Sequence, residues 1–413
     1  MKDFFFSFSE NEEFVLLYDR GPLSQANPNL KLVVSSLSVN WIVLFNPEIG
    51  ICLNVSLNGT TKIITVPPEF LVKENTFENK GIYAITSSKT ALSALYKDPL
   101  GYEGFSVLPK KSLSTKYLVA SYGSSFGNAF VGITATKPNT EVVISLKTNA
   151  GGKVTYNNTE YSNGQIITLH LNKSGTFELG STADLTGSII VANSEIAVQS
   201  GSGCAKVPTG SSLCNYLIEM MPPLRDLGTS FIIPPIFKNK PFIVRVISPE
   251  AKTTMNVLQT NSNTTFHMNT SGEFIHLNSS KPMIITSDKP VMAVYYQTGI
   301  SQPPVPFMTI VHPTDKLKTA HEFTIPNDGL KHHILITCKS REYPFLTLDN
   351  QPIFFNNPYV IDTKNFNYPY ITVRGDILPG HHSMGSLTGN VKFGVIVNAN
   401  GDASNNVAYG YPV

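Results

Sequence analysis

Apolar residues along the chain fall into short runs, continuous or alternating with polar positions, and each run stops at a turn signal. KYLVASY (116–122), AFVGITAT (129–136), TEVVISLK (140–147), QIITLHL (165–171), PFIVRVIS (241–248), HHILITC (332–338) and VKFGVIVN (391–398) are of this kind. Lys137-Pro138-Asn139 and Asn163-Gly164 are typical of what lies between them. A period of two predicts half-buried strands, and unbroken apolar runs of this length predict strands covered on both faces. Helical periodicity is nearly absent. Short helical turns are expected only near Pro67–Leu71, Pro222–Leu227 and Pro313–Leu317. A strand roughly every ten residues predicts an all-β protein.

The pattern also recurs at longer range. ITSSKTALSAL (85–95), VANSEIAVQSG (191–201) and IITSDKPVMAV (284–294) each read as a strand, a small polar turn and a second strand. Each is followed by a proline with leucine four positions on: Pro109/Leu113, Pro223/Leu227 and Pro313/Leu317. A strand with an aromatic near its start comes next, at Tyr117, Phe231 and Phe323. This order predicts related units over 81–185, 186–280 and 281–413, preceded by a partial unit over 1–80. A sandwich of short strands fits a unit of about a hundred residues. A propeller blade is roughly half that size, so a propeller would need two blades per unit. The expectation is tandem antiparallel β-sandwich-like units packed together, with a β-propeller as the alternative.

The chain has 413 residues, 41% of them hydrophobic, enough to bury a core in several units. Only 15% are charged and the formal net charge is +2, which gives no support to a nucleic-acid partner. No run approaches the 18 or so apolar residues of a membrane helix, so membrane insertion is not expected. The opening MKDFFFSFSENEEF does not read as a signal peptide, because its apolar run is short and broken by Ser7.

Several motifs together resemble the N-terminal domain of the IgG Fc-binding protein family. They are Gly203-Cys204-Ala205-Lys206-Val207-Pro208, Cys214-Asn215, Pro222-Pro223 and Leu227-Gly228. Gly104-Phe105-Ser106-Val107-Leu108-Pro109 leading into Tyr117–Tyr122, Ala135–Thr140, Ile285–Val291 and Tyr409-Gly410-Tyr411-Pro412 agree. The resemblance spans Phe4 to Pro412, as one copy of that domain. It implies an extracellular, non-catalytic adhesion or recognition module within a longer, multidomain secreted chain of mucus or adhesive matrices. Its partner would be an extracellular protein or glycan. The resemblance carries over no ligand-binding residue, and no cofactor.

In the oxidising compartment so implied, Cys204 and Cys214 read as a disulfide. Their spacing suits neither a zinc site nor a C-x-x-C redox pair. Closing such a loop is worth about 2.7 kcal/mol in the chain-entropy description. Cys52 and Cys338 sit in apolar strands, either as free thiols or as a second bridge. There are seven N-x-S/T sequons, at Asn54, Asn58, Asn157, Asn172, Asn263, Asn269 and Asn278. Chance placement in so Asn-, Ser- and Thr-rich a chain yields about six, so their number alone is not evidence of glycosylation.

Other candidates fail on strand geometry. Gly123-Ser124-Ser125-Phe126-Gly127 matches G-x-S-x-G, but a strand follows it rather than the helix that a nucleophile elbow requires. His332 and His333 should face opposite ways in a strand, and His381-His382 reads as an exposed loop. His312 and His321 stand without a motif. Tyr368-Pro369-Tyr370 and Tyr409-Gly410-Tyr411-Pro412 are aromatic clusters suited to sugar or protein contact, with sheet packing and chain-end docking as the plainer use. Adhesion or recognition is the leading function. A β-fold carbohydrate-active or hydrolytic enzyme, or a structural spacer, are the alternatives.

Overall fold

The computed structural model describes residues 11–19, 28–35, 41–57, 61–88, 90–98, 101–149, 151–259, 262–299, 305–355, 359–362, 369–401 and 408–413. Across them the chain is all-β and antiparallel, joined by short 3₁₀ turns. Among the described residues no helix is long and apolar enough to cross a membrane.

The stretch 228–310 shows the plan. The 15-residue strand Met283–Gln297 begins between Gly228–Ile233 and Thr253–Gln259, with Ser262–Met268 outermost. Its second part leaves that sheet and lies between Phe242–Ile247 and Phe307–Ile310, with Phe274–Ser279 outermost. One strand thus belongs to two sheets. It turns from one to the other at Asp288-Lys289-Pro290, where proline offers no amide hydrogen to continue a ladder. Asp288 Oδ1 accepts the Thr254 N–H at 2.8 Å and fixes the corner.

The same plan repeats. The 18-residue strand Ile189–Lys206 turns at Asn193, whose Oδ1 accepts the Glu141 N–H at 3.0 Å. Ile82–Thr86 and Ala91–Lys97 are separated at the equivalent place, where Ser87 Oγ accepts the Trp41 N–H at 3.4 Å. Gly380–Ser386 and Phe393–Asn400 take the two roles near the end of the chain. The recurrent strand-turn-strand segments pair with strands that precede them, so they lie near the end of a unit rather than opening one. Hydrogen bonding therefore groups the strands as 12–106, 114–220, 228–310 and 321–412, except that the short strand Phe77–Glu78 pairs with Thr176–Ser181 of the second group. The boundaries expected at 81, 186 and 281 fall inside these groups, and the supposed partial unit is a full one. The junctions are the 3₁₀ turns Lys110–Ser112, Leu224–Asp226 and Thr314–Lys316, each preceded by its landmark proline.

The two sheets of a unit differ in sequence because they differ in burial. The outer sheets show clean alternation, as in Ile166–Leu171, where every second residue is exposed. The other sheets are covered on both faces, and Phe242–Ile247 is buried throughout. There, Phe242, Val244 and Val246 pack inside their own unit, while Ile243 and Ile247 pack into the second unit. Phe130, Tyr216, Ile218 and Met220 of the second unit reach the first in the same way. Leu335, Ile396 and Ala408 of the fourth reach the third. Val33, Leu95 and Tyr102 of the first reach the fourth. The packing runs one way round and closes into a propeller-like ring of sandwich-like units. Each Val, Leu, Ile, Phe or Met among these side chains contributes about 1.5–3 kcal/mol relative to exposure.

The last strands of the units, Tyr102–Ser106, Cys214–Met220, Phe307–Ile310 and Ala408–Pro412, meet at the centre. Asn215 joins all four. Its Nδ2 donates to Pro306 O at 2.8 Å, Tyr102 O at 3.3 Å and Ala408 O at 3.4 Å, and its Oδ1 accepts the Tyr102 N–H. Glu103 is fully buried and accepts the N–H of Gly104 at 3.1 Å and of Met308 at 3.4 Å. Burial pushes the carboxyls of Glu103 and Glu219 well above the usual range. Glu103 thus caps strand edges whose donors would otherwise be stranded away from water.

Candidate binding surface

Gly123–Gly127 is an irregular loop, and the strand Ala129–Ala135 follows it. Ser125 donates its N–H and its hydroxyl to Cys204 O, at 2.9 and 2.7 Å, so it is held as a loop tie. Cys204 and Cys214 are joined, with Cα atoms 5.2 Å apart, bridging the end of Ile189–Lys206 to the start of the closing strand. Cys52 and Cys338 are free thiols. Cys52 is exposed on an outermost strand of the first unit and Cys338 is buried in the fourth, so the possible second bridge does not form.

The histidines are built into the fold. His332 Nε2 lies 3.0 Å from Tyr409 Oη, and His333 Nδ1 lies 2.7 Å from Asp376 Oδ1, on opposite faces of one strand. Asp328 accepts Tyr102 Oη–H at 2.7 Å; burial would raise its carboxyl, but bonds from His332 and Tyr102 hold it below the usual range. His381 and His382 do not lie in an exposed loop. They belong to the strand Gly380–Ser386, and His382 is buried with Nδ1 2.8 Å from Asp349 Oδ2. The Leu-Pro-Gly signal is a tight turn that ends at once, with Gly380 at φ 148° opening the strand. Tyr409 and Tyr411 are buried and dock the chain end; Tyr368 lies outside the described residues. Among the described residues no group of three His, Cys, Asp or Glu could hold a metal ion.

A cleft of about 660 Å³ opens where the first unit, the second unit and two junction turns meet. One wall is Asn11–Glu13 at the start of the first strand, and the turn bearing Lys110 and Lys111 faces it. Lys137, from the Lys137-Pro138-Asn139 turn, and Glu195, just past the corner of Ile189–Lys206, come from the second unit. Arg225, from the next junction turn, completes the lining. Local structure fixes each of them. The Thr136 hydroxyl holds the corner through Glu195 O at 2.5 Å, and Arg225 Nη2 donates to Ser112 O and Leu113 O at 2.6 and 3.0 Å.

Ion pairs order the charges. Lys110 pairs with Glu13, Lys111 with Glu12 at 2.5 Å, and Lys137 with Glu195 at 2.6 Å. The hydrogen bond from Lys137 holds the Glu195 carboxyl below its usual range. Glu12 is additionally anchored by the Thr90 N–H at 3.0 Å. The cleft therefore offers paired charges of both signs on short, restrained connections. That suits recognition of a polar partner, and the Lys110–Glu13 and Lys137–Glu195 pairs are exposed enough for salt to screen them. None of these residues stood out in the sequence. The available signal was that charges stand within three residues after each landmark proline: Lys110-Lys111 after Pro109, Arg225-Asp226 after Pro223 and Asp315-Lys316 after Pro313.

A family model described as IgGFc binding protein matches residues 103–398. A human protein named IgGFc-binding protein is 28% identical over 223 residues, 51% of this chain. The match covers 4% of that protein's length.

Proposed function

The chain belongs to the IgGFc-binding protein family, and on that premise we propose an extracellular, non-catalytic recognition module within a larger secreted assembly. It holds a protein or glycan partner in the cleft between its first and second units. The family is one of extracellular binding modules. The observation that carries the reading to a site is the cleft itself, because a rigid sheet framework leaves recognition to its connections. Mucus or adhesive matrix is the setting that follows, and binding to immunoglobulin Fc, which the human relative's name states for that protein, is one candidate activity.

The test is binding of the purified chain to immobilised Fc, a panel of extracellular proteins and a glycan array. Lys110→Glu with Arg225→Glu should weaken the strongest interaction at least tenfold while leaving circular dichroism unchanged, and raised salt should weaken it further. Binding indifferent to both substitutions would remove the cleft from the reading. Ser125→Ala and chelators should leave binding untouched.

A further inference from the structure

The number of sequons carries no weight, but their places in the fold do. Asn54 lies in Ile51–Ser56, the outermost strand of the first unit's outer sheet. Asn263 lies in Ser262–Met268 and Asn278 in Phe274–Ser279, the outermost strands of the third unit's two sheets. Asn172 directly follows Ile166–Leu171, the outermost strand of the second unit's outer sheet, and Asn269 directly follows Ser262–Met268. Asn157 sits at the tip of the two-stranded hairpin Lys153–Tyr156/Thr159–Ser162. All six asparagines are exposed, and none lies in a central strand; Asn58 falls outside the described residues.

A strand with one side unpaired presents a row of bare N–H and C=O groups that another chain can extend. Proteins blunt such edges with charge, proline or a covering segment. Here these edge strands are poor in charge: ICLNVS carries none, and SNTTFHM and FIHLNS carry only a histidine each. They carry sequons instead.

We propose that these sequons are N-glycosylated and that the glycans cover the outermost strands they lie on or beside, keeping those strands from pairing with other chains. The inference rests on the extracellular reading but not on the cleft. In the transfer step the carboxamide nitrogen attacks the anomeric carbon of an oligosaccharide carried on a polyprenyl diphosphate. The N–C bond forms as the C–O bond to the diphosphate breaks. The leaving diphosphate takes the electron pair, and the amide proton passes to a base of the transferase. A bulky, solubilising, hydrated group is then fixed beside each edge.

The experiment expresses the full chain through a eukaryotic secretory route and maps it by peptide mass spectrometry after glycosidase release in heavy-oxygen water. Heavy-oxygen aspartate is expected at Asn54, Asn157 and Asn278 and at one or both of Asn263 and Asn269. Occupancy at fewer than half of the six sites would overturn the modification. Aggregation of native chain, before and after release, is then followed by light scattering at one concentration. Deglycosylated protein should aggregate several-fold faster, and equal rates would overturn edge protection. Ser56→Ala and Ser280→Ala, which abolish two sequons without changing the asparagines, should reproduce part of the effect. Loss of cleft binding with these results intact would sink the functional reading alone.

Discussion

Arg245 shows how one residue can tie two units. Odd-numbered positions of Phe242–Ile247 face the second unit, so a cation at 245 is carried into an interior seam. There Nη1 donates to Asp184 Oδ2 at 2.7 Å, Ser121 O at 2.9 Å and Thr186 Oγ1 at 2.9 Å. The guanidinium stacks over Tyr122, Phe274 and Tyr296, its centre 4.2, 4.8 and 5.4 Å from the rings. Burial would raise the Asp184 carboxyl, yet Arg245 and the bonds from Thr186 and Ser121 hold it below its usual range. A pair this dry is worth little against an apolar replacement, but removing one partner strands the other. Arg245→Met should cost about 3–5 kcal/mol, and Arg245→Met with Asp184→Leu should recover much of it. Urea unfolding of the four proteins in this cycle measures both, and equal losses in the single and double variants would show that stacking rather than the ion pair matters.

At the scale of elements, the junction from the third unit to the fourth carries a pH dependence. His312 precedes the turn Thr314–Lys316 and His321 opens the strand after it, their rings 6.3 Å apart. Burial, then His321 and Lys318, push His312 down to about 3; burial chiefly pushes His321 down to about 4. Both are neutral in the fold, whereas an unfolded imidazole protonates near 6.5. Their stabilisation is thus complete above about pH 6.5 and is lost as pH falls toward 4, since the unfolded chain binds protons first. Glu103 and Glu219, raised by burial, act oppositely and favour the fold at low pH. The urea midpoint should fall between pH 6.5 and 4, and His312→Phe should flatten that decline; an unchanged slope would contradict it. Much at this scale was legible in the sequence. The corner residues Asn193 and Asp288 stood out as a small polar turn because a strand changing sheets needs one there. Unit boundaries were not legible, since period two reports which face is buried but not which neighbour a strand pairs with. The turn signal before His381-His382 predicts a loop for a similar reason, being silent about where the next strand begins. The cleft escaped because its ion pairs, Lys110–Glu13, Lys111–Glu12 and Lys137–Glu195, join residues far apart along the chain.

For the whole molecule, closure is the governing fact. Every unit presents the doubly buried sheet to the unit before it, and the first presents Val33, Leu95 and Tyr102 to the last. A linear string gives no sign that its first and last members touch. Asn215 adds an asymmetry to this ring: a single side chain, on the second unit only, satisfies backbone groups of the other three.

A closed ring of units, each made almost wholly from one continuous piece of chain, has no obligatory beginning. Synthesis order should therefore be interchangeable: a circular permutant opened before Pro313, with the original ends fused through the segment preceding Glu12, is expected to fold to the same ring. Its melting temperature should lie within a few degrees of the parent's, and its circular dichroism should be superimposable. A permutant that collapses into aggregates would show instead that the first unit must be in place before the fourth can close on it.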